Sequence, residues 1–127
     1  MAAPVFNSDA RVKIEKSNKY VYPDASVTCD QRDEDADQFV SHPCLIIEVL
    51  SPSTEAYNRG KKFKLYQRLT SLIDYVLVNA DEIEIEVFRK NDRGKWEVTN
   101  YIAGDAIELE SINLTFPIEQ IYKSIKF

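Results

Sequence analysis

Cys44-Leu45-Ile46-Ile47-Glu48-Val49-Leu50, followed by Ser51-Pro52-Ser53-Thr54, decides how the chain is read. Six of the first seven residues are apolar, rich in Ile and Leu, and a Ser/Pro cluster closes the run. That pattern predicts a strand buried on both faces. Glu48 interrupts it. A bare carboxylate in a buried strand is strongly unfavourable unless it is paired or binds a cation. Whatever compensates Glu48 is therefore the first place to look for function.

Working outward, the segment after the strand reads as a turn and then a helix. Ser51 to Thr54 form the turn, with Ser53 or Thr54 as candidate N-cap. The helix is expected to run to about Leu69, weakened near its start by Gly60. At about 100° per residue, Leu65, Tyr66 and Leu69 share one stripe with Lys62 near its middle. Asn58 lies one turn earlier on the same side. Lys61, Lys64, Gln67 and Arg68 point elsewhere, so Lys62 is the basic residue aimed at the core.

Upstream, Arg11 to Glu15 alternate charged and apolar residues, as in a half-exposed strand. Tyr20 to Cys29 read as a second strand interrupted by Pro23, a bulge or edge marker, with Asp24 directly after it. Asp30 to Ser41 form an acidic loop. Without the ordered ligand spacing and Gly of an EF-hand, it reads as solvated rather than as a Ca²⁺ site. His42, the only histidine, sits at a strand entry before Pro43.

Downstream, Asp74 to Asn79 predict another buried strand, and Ile83 to Phe88 a half-exposed one. Asn91-Asp92-Arg93-Gly94 is a hairpin turn, and Lys95 to Tyr101 pair back. Ala106 to Leu109 form a short strand. Pro117 to Ile125 form a short terminal helix, with Pro117 in its first turn. Strands alternating with helices in this way predict one mixed-sheet α/β domain.

Composition sets the outer bounds. The chain has 127 residues, 44% hydrophobic and 29% charged, with net charge −5. That is one domain with a real core. The negative balance argues against broad, non-specific nucleic-acid coating but leaves room for a local basic cleft. No apolar stretch approaches the roughly 18 residues of a membrane span. The opening residues show no secretory pattern, so a cytoplasmic location is expected. Cys29 and Cys44 have no metal-type spacing and are expected as buried thiols.

Three groups that resist burial are thus predicted to point inward: Asp24, Glu48 and Lys62. Two close carboxylates repel, and a divalent cation relieves them. Oxygen-only ligands favour Mg²⁺ or Mn²⁺. A neighbouring lysine orients water or stabilises phosphate charge. The competing reading is structural: Glu48 paired with Lys62, and Asp24 with a strand-edge amide. The residues alone leave both open.

Pro23-Asp24, Glu48-Val49-Leu50-Ser51-Pro52-Ser53-Thr54 and Arg59-Gly60-Lys61-Lys62-Phe63-Lys64-Leu65-Tyr66 together resemble the Uma-two family of restriction endonucleases, in the PD-(D/E)XK nuclease superfamily. The likeness runs from about Phe6 to Ile125 and includes the Asp74-Tyr75 strand and the Trp96 hairpin. It implies a restriction-endonuclease-like mixed β-sheet with flanking helices. It also implies that Asp24 and Glu48 bind Mg²⁺ or Mn²⁺, with the Val49 carbonyl completing the shell. The superfamily lysine, usually two residues after the Glu, has moved to the helix as Lys62. Tyr66 matches a family tyrosine, although a core aromatic packed on the sheet explains it equally well.

Two departures stand out. Asn58 occupies a position where the family often has Asp. Only 22 residues precede Pro23, which implies that the usual N-terminal helix and first strands are lacking. Glu15 is a poor acidic substitute beside Arg11 and Lys13. One face of the sheet is then expected to be bare, favouring a homodimer.

Two functional readings follow. The first is a Mg²⁺-dependent DNA endonuclease with Asp24, Glu48 and Lys62 as its catalytic set. Asn58 and Tyr66 support it, and Arg59, Lys61 and Lys64 either contact DNA phosphates or stand as solvated charges on an exposed helix face. The second is a catalytically degenerate relative, acting through interaction rather than chemistry, in which the same residues form an ion-pair cluster.

Overall fold

The computed structural model describes residues 5–7, 11–14, 19–21, 24–28 and 39–123. The readings made for Glu15, Pro23, Cys29 and the acidic segment 30–38 lie outside the described residues. In chain order the elements begin with β1 (Val5–Asn7), β2 (Arg11–Ile14), β3 (Lys19–Val21), β4 (Ala25–Thr28), β5 (Phe39–Val40) and β6 (Pro43–Leu50). Then follow α1 (Glu55–Arg59), α2 (Lys61–Tyr66), β7 (Asp74–Asn79), β8 (Glu84–Lys90) and β9 (Trp96–Ile102). The chain closes with β10 (Ala106–Leu109), a 3-10 turn (Glu110–Ile112), β11 (Leu114–Pro117) and α3 (Ile118–Tyr122).

The organising sheet has the order β1-β4-β6-β7-β8-β9. Its mixed character arises at the centre, where β6 and β7 run parallel while their outer neighbours are antiparallel. Parallel neighbours need a crossover, and α1 with α2 supplies it. The Ile- and Leu-rich stretch chosen from the sequence is β6, one of these two central strands, and it is covered on both faces. Its even-numbered side chains Ile46 and Leu50 pack with Tyr66, Leu69, Leu72, Tyr75 and Leu77 beneath the helices. Its odd-numbered Leu45 joins Val76, Val78, Ile85 and Val87 against Ile107, Leu109 and Ile118. Helices thus cover one face of the central strands, and the β10/β11 hairpin with α3 covers the other. The expected bare face is not found there. Exposed apolar side chains appear instead on edge strand β9, at Val98 and Ile102.

Local departures have local causes. The expected single helix to Leu69 is two short helices broken at Gly60, whose φ of −99° and ψ of −96° are not helical. A Cβ there would lie 3.1 Å from the Ala56 carbonyl oxygen, so the absent side chain permits the break. α2 stops at Tyr66, and a turn closed by the Leu69 N–H on the Tyr66 carbonyl at 2.9 Å carries Leu69 into the core. The expected strand Tyr20–Cys29 is divided. β3 pairs with β2 in a separate three-stranded sheet, while β4 joins the main sheet.

β11 lacked a clear sequence signal. Leu114 and Thr115 face solvent, so the period-two alternation is blunted. Asn113, in the left-handed region at φ 54°, makes the turn that returns it to β10. The described part of the expected terminal helix is α3, with Pro117 at its N-cap, and Ile125 lies outside the described residues. Cys44 is disulfide-bonded rather than the thiol expected; Cys29, the other cysteine of the sequence, lies outside the described residues. His42 stands at the entry to β6, where its carbonyl accepts the Thr28 hydroxyl at 2.9 Å. Among the described residues, no helix is long and apolar enough to cross a membrane.

Candidate active site

Glu48 occupies the helix-side face of β6 between Ile46 and Leu50. It is 2% exposed. Strand alternation forces it inward, because its neighbours two positions away are core residues. Its Oε2 accepts the Lys62 ammonium at 2.6 Å. Its Oε1 is buried and has no hydrogen-bond partner. Burial is the largest influence on its carboxyl group; with the nearby Asp24 charge it outweighs the Lys62 contact, and the pKa is pushed up to about 6.

Lys62 reaches Glu48 for the reason its sequence spacing implied. Asn58, Lys62 and Tyr66 follow at four-residue intervals, and all three are buried. The break at Gly60 leaves this stripe intact: the Lys64 N–H still bonds the Gly60 carbonyl at 3.1 Å. The Asn58 carbonyl accepts the Tyr75 hydroxyl at 2.9 Å, which pins the end of α1 to β7. Phe63 stacks on Tyr75 with ring centroids 4.9 Å apart, fixing α2 over the sheet.

Asp24 lies one residue before β4, whose pairing sets Ala25 opposite Ile47. Its side chain is exposed rather than inward. Its Oδ2 accepts the Val49 N–H at 2.6 Å, so a side chain takes over where the β4 ladder ends. In an extended strand the N–H and C=O of one residue point to the same edge. The Val49 carbonyl therefore projects toward Asp24, while the Leu50 carbonyl turns to the other edge and accepts the Ala80 N–H at 3.3 Å. Asp24 thus lies against the edge of β6 at Val49, next in sequence to Glu48, whose carboxyl feels the Asp24 charge.

These residues fit a hard divalent cation. All the donors are oxygens, Asp24 retains lone pairs beyond the Val49 contact, and Glu48 Oε1 is a buried acceptor awaiting a partner. The structural contacts anticipated for the same residues are also present, namely Glu48 with Lys62 and Asp24 with a strand-edge amide.

The basic residues divide into two groups. Lys61, Lys64 and Arg68 are exposed. Arg59 is engaged: it hydrogen-bonds Glu86 on β8 and lies 3.4 Å from Glu55. The Glu86 contact, foremost, raises the pKa of its guanidinium. Glu86 was not singled out from the sequence, because it reaches Arg59 only once β8 is placed two strands from β6. Its register is legible in the sheet, where Glu48 pairs with Leu77 and Leu77 with Glu86 on one face.

A second buried carboxylate, Asp74, was likewise read only as strand. It lies on the opposite face and is 0% exposed. Its Oδ1 accepts Arg89 Nε at 3.1 Å and its Oδ2 accepts the Ser111 N–H at 2.8 Å. It ties β7 to β8 and to the turn before β11.

The geometry can be set beside known proteins. A family model described as Uma2, "Putative restriction endonuclease", matches residues 2–119. Two uncharacterized proteins of Synechocystis sp. (strain ATCC 27184 / PCC 6803 / Kazusa) are similar to this chain. One is 50% identical over 121 residues, 95% of this chain and 64% of that protein. The other is 31% identical over 108 residues, 84% of this chain and 60% of that protein. The chain therefore spans less than two thirds of the length of these relatives. A crystal structure described as a "putative nuclease belonging to DUF820" from Anabaena variabilis ATCC 29413 superposes with a TM-score of 0.74 at 20% identity. That superposition covers 98% of this chain and 70% of the other, and it establishes the nuclease-like α/β fold. With the family model spanning nearly the whole sequence, the chain belongs to the Uma2 family.

Proposed function

We propose that this chain is a metal-dependent endonuclease that hydrolyses phosphodiester bonds in DNA. The observation carrying this reading is the state of Glu48, whose one oxygen is clamped by Lys62 while the other is buried and bare. The large majority of buried side-chain polar atoms are hydrogen-bonded, so a bare carboxylate oxygen calls for an explanation. Asp24, Glu48 and the Val49 carbonyl would hold Mg²⁺ or Mn²⁺, which would supply Lewis-acid chemistry there, for phosphoryl polarisation and water activation. Lys62, oriented by its contact with Glu48, places a positive charge where phosphate charge builds and positions the attacking water. Lys61 and Lys64 contact flanking phosphates, and Arg59 joins them by exchanging Glu86 for a phosphate.

The test is plasmid and oligonucleotide cleavage with Mg²⁺ and with Mn²⁺. Glu48→Ala and Asp24→Ala are expected to lose detectable cleavage while keeping the wild-type circular dichroism spectrum. Undiminished cleavage by Glu48→Ala would overturn the proposal. Lys61→Gln and Lys64→Gln should each reduce the slope of log affinity against log salt by about one.

A catalytically inactive relative is the second reading, and it is favoured by the structural contacts that Glu48 and Asp24 already make, with Lys62 and the Val49 N–H. That reading requires Glu48 and Asp24 to serve only the contacts they already make. It predicts no saturable Mn²⁺ binding by calorimetry.

A further inference from the structure

Three tyrosines among the described residues are buried: Tyr66, Tyr75 and Tyr122. Two have clear uses for their hydroxyls. Tyr75 donates to the Asn58 carbonyl at 2.9 Å. The Tyr122 hydroxyl lies 2.6 Å from the Asn79 carbonyl and 3.1 Å from the Glu84 N–H, joining the ends of β7 and β8. The Tyr66 hydroxyl is different: it is buried and has no hydrogen-bond partner, on a residue that is 0% exposed. Packing alone does not explain it. The ring fills the core beneath α2, 5.4 Å from the Tyr75 ring, and phenylalanine would do that without an unsatisfied hydroxyl.

Two further buried oxygens on this face lack a partner, and the first is an acceptor, Glu48 Oε1. Lys62 and Tyr66 stand one turn apart on α2, and Lys62 touches the second oxygen of the same carboxylate. The Glu48 charge also acts on the Tyr66 phenol, raising its pKa after the larger effect of burial. The two groups are thus electrostatic neighbours on one face with no hydrogen bond between them. Ser26, opposite Ile46 on the same face, has a third buried and unpartnered oxygen. Mg²⁺ and its analogues are typically held by one or two carboxylates and keep several waters of hydration.

We infer that Tyr66 is a positioning residue of the metal site, donating its hydroxyl to a hydration water of the divalent ion held by Glu48. The inference rests on the metal-binding reading above and assigns this tyrosine its part in it. Losing a partner of this outer kind characteristically weakens metal binding by about 10–100-fold.

The test compares the full chain with Tyr66→Phe and Tyr75→Phe, measuring metal-free melting temperature and Mn²⁺ affinity by calorimetry. Tyr66→Phe is expected to melt at or above the wild-type temperature and to bind Mn²⁺ at least about 10-fold more weakly. Tyr75→Phe, which loses a backbone contact, is expected to melt lower and to keep its Mn²⁺ affinity. Equal Mn²⁺ affinity in wild type and Tyr66→Phe overturns the inference and leaves the metal site standing. Equal weakening in both variants overturns it as well, since general loosening then explains the effect. No saturable Mn²⁺ binding by wild type removes the metal site and this inference together.

Discussion

Glu48 and Asp74 are two buried carboxylates on adjacent strands of one sheet, facing opposite sides. Each has a basic partner, Lys62 and Arg89 respectively. The difference lies in the remaining oxygen. Asp74 gives it to the Ser111 N–H, and its arrangement is complete. Glu48 keeps Oε1 buried and unpaired, and its carboxyl pKa is pushed up to about 6. One acid is spent on joining three pieces of backbone. The other is held in a state that a cation or a proton would relieve. Burial and a salt bridge are common to both acids, and the count of satisfied lone pairs is what separates them.

The sharpest way to break this contrast is to neutralise each acid without changing its shape. Asp74→Asn sets an amide donor against Arg89 or the Ser111 N–H, and should cost about 3 kcal/mol in urea unfolding. Glu48→Gln, measured metal-free at pH 8, should cost less than about 1 kcal/mol, because the charge it removes was poorly satisfied. Similar losses for both would end the distinction.

A second prediction uses protons. Folding raises the Glu48 pKa from 4.5 to about 6, so the folded chain holds the proton more tightly than the unfolded one. That contribution is complete below pH 4.5 and is lost as pH rises through about 6, amounting to about 2 kcal/mol. The metal-free wild type should therefore lose stability across that window relative to Glu48→Gln. Parallel pH profiles would place the Glu48 pKa near its ordinary value.

The smallest effect separates two tyrosines in contact. Tyr75→Phe removes the bond to Asn58 and should cost about 1 kcal/mol in the metal-free protein. Tyr66→Phe removes a hydroxyl with no partner and should cost nothing. Equal losses would reveal a hidden partner for Tyr66.

Much of the candidate site was legible before any coordinates. Glu48 was visible as the one charge in an apolar run, and Lys62 as the one basic residue on the apolar stripe of its helix. Both signals are local, set by strand and helix periods. The break at Gly60 shortened the helices yet left the four-residue interval from Asn58 through Lys62 to Tyr66 on one side. Asp24 reads as an inward residue within one strand from Tyr20 to Cys29, whereas it stands exposed just before β4. Its orientation depends on the Val49 amide, 25 residues away.

Contacts set by remote partners were not legible. Arg59 reads as an available phosphate contact until Glu86, 27 residues on, occupies it. Asp74 reads as a strand terminus until Ser111, 37 residues on, caps it. The β10/β11 hairpin shows the same limit, since Leu114 and Thr115 on its return strand face solvent and carry no alternating signal.

Residue order, through its periodicities, was sufficient to determine that β6 is buried, that Glu48 must be compensated, and that Lys62 is aimed at the core. Only the assembled sheet decided that Glu48 keeps a bare oxygen while Asp74 does not. Period and polarity are properties of a few consecutive residues. Hydrogen-bond satisfaction belongs to an atom's whole surroundings, which distant segments supply when they pack together.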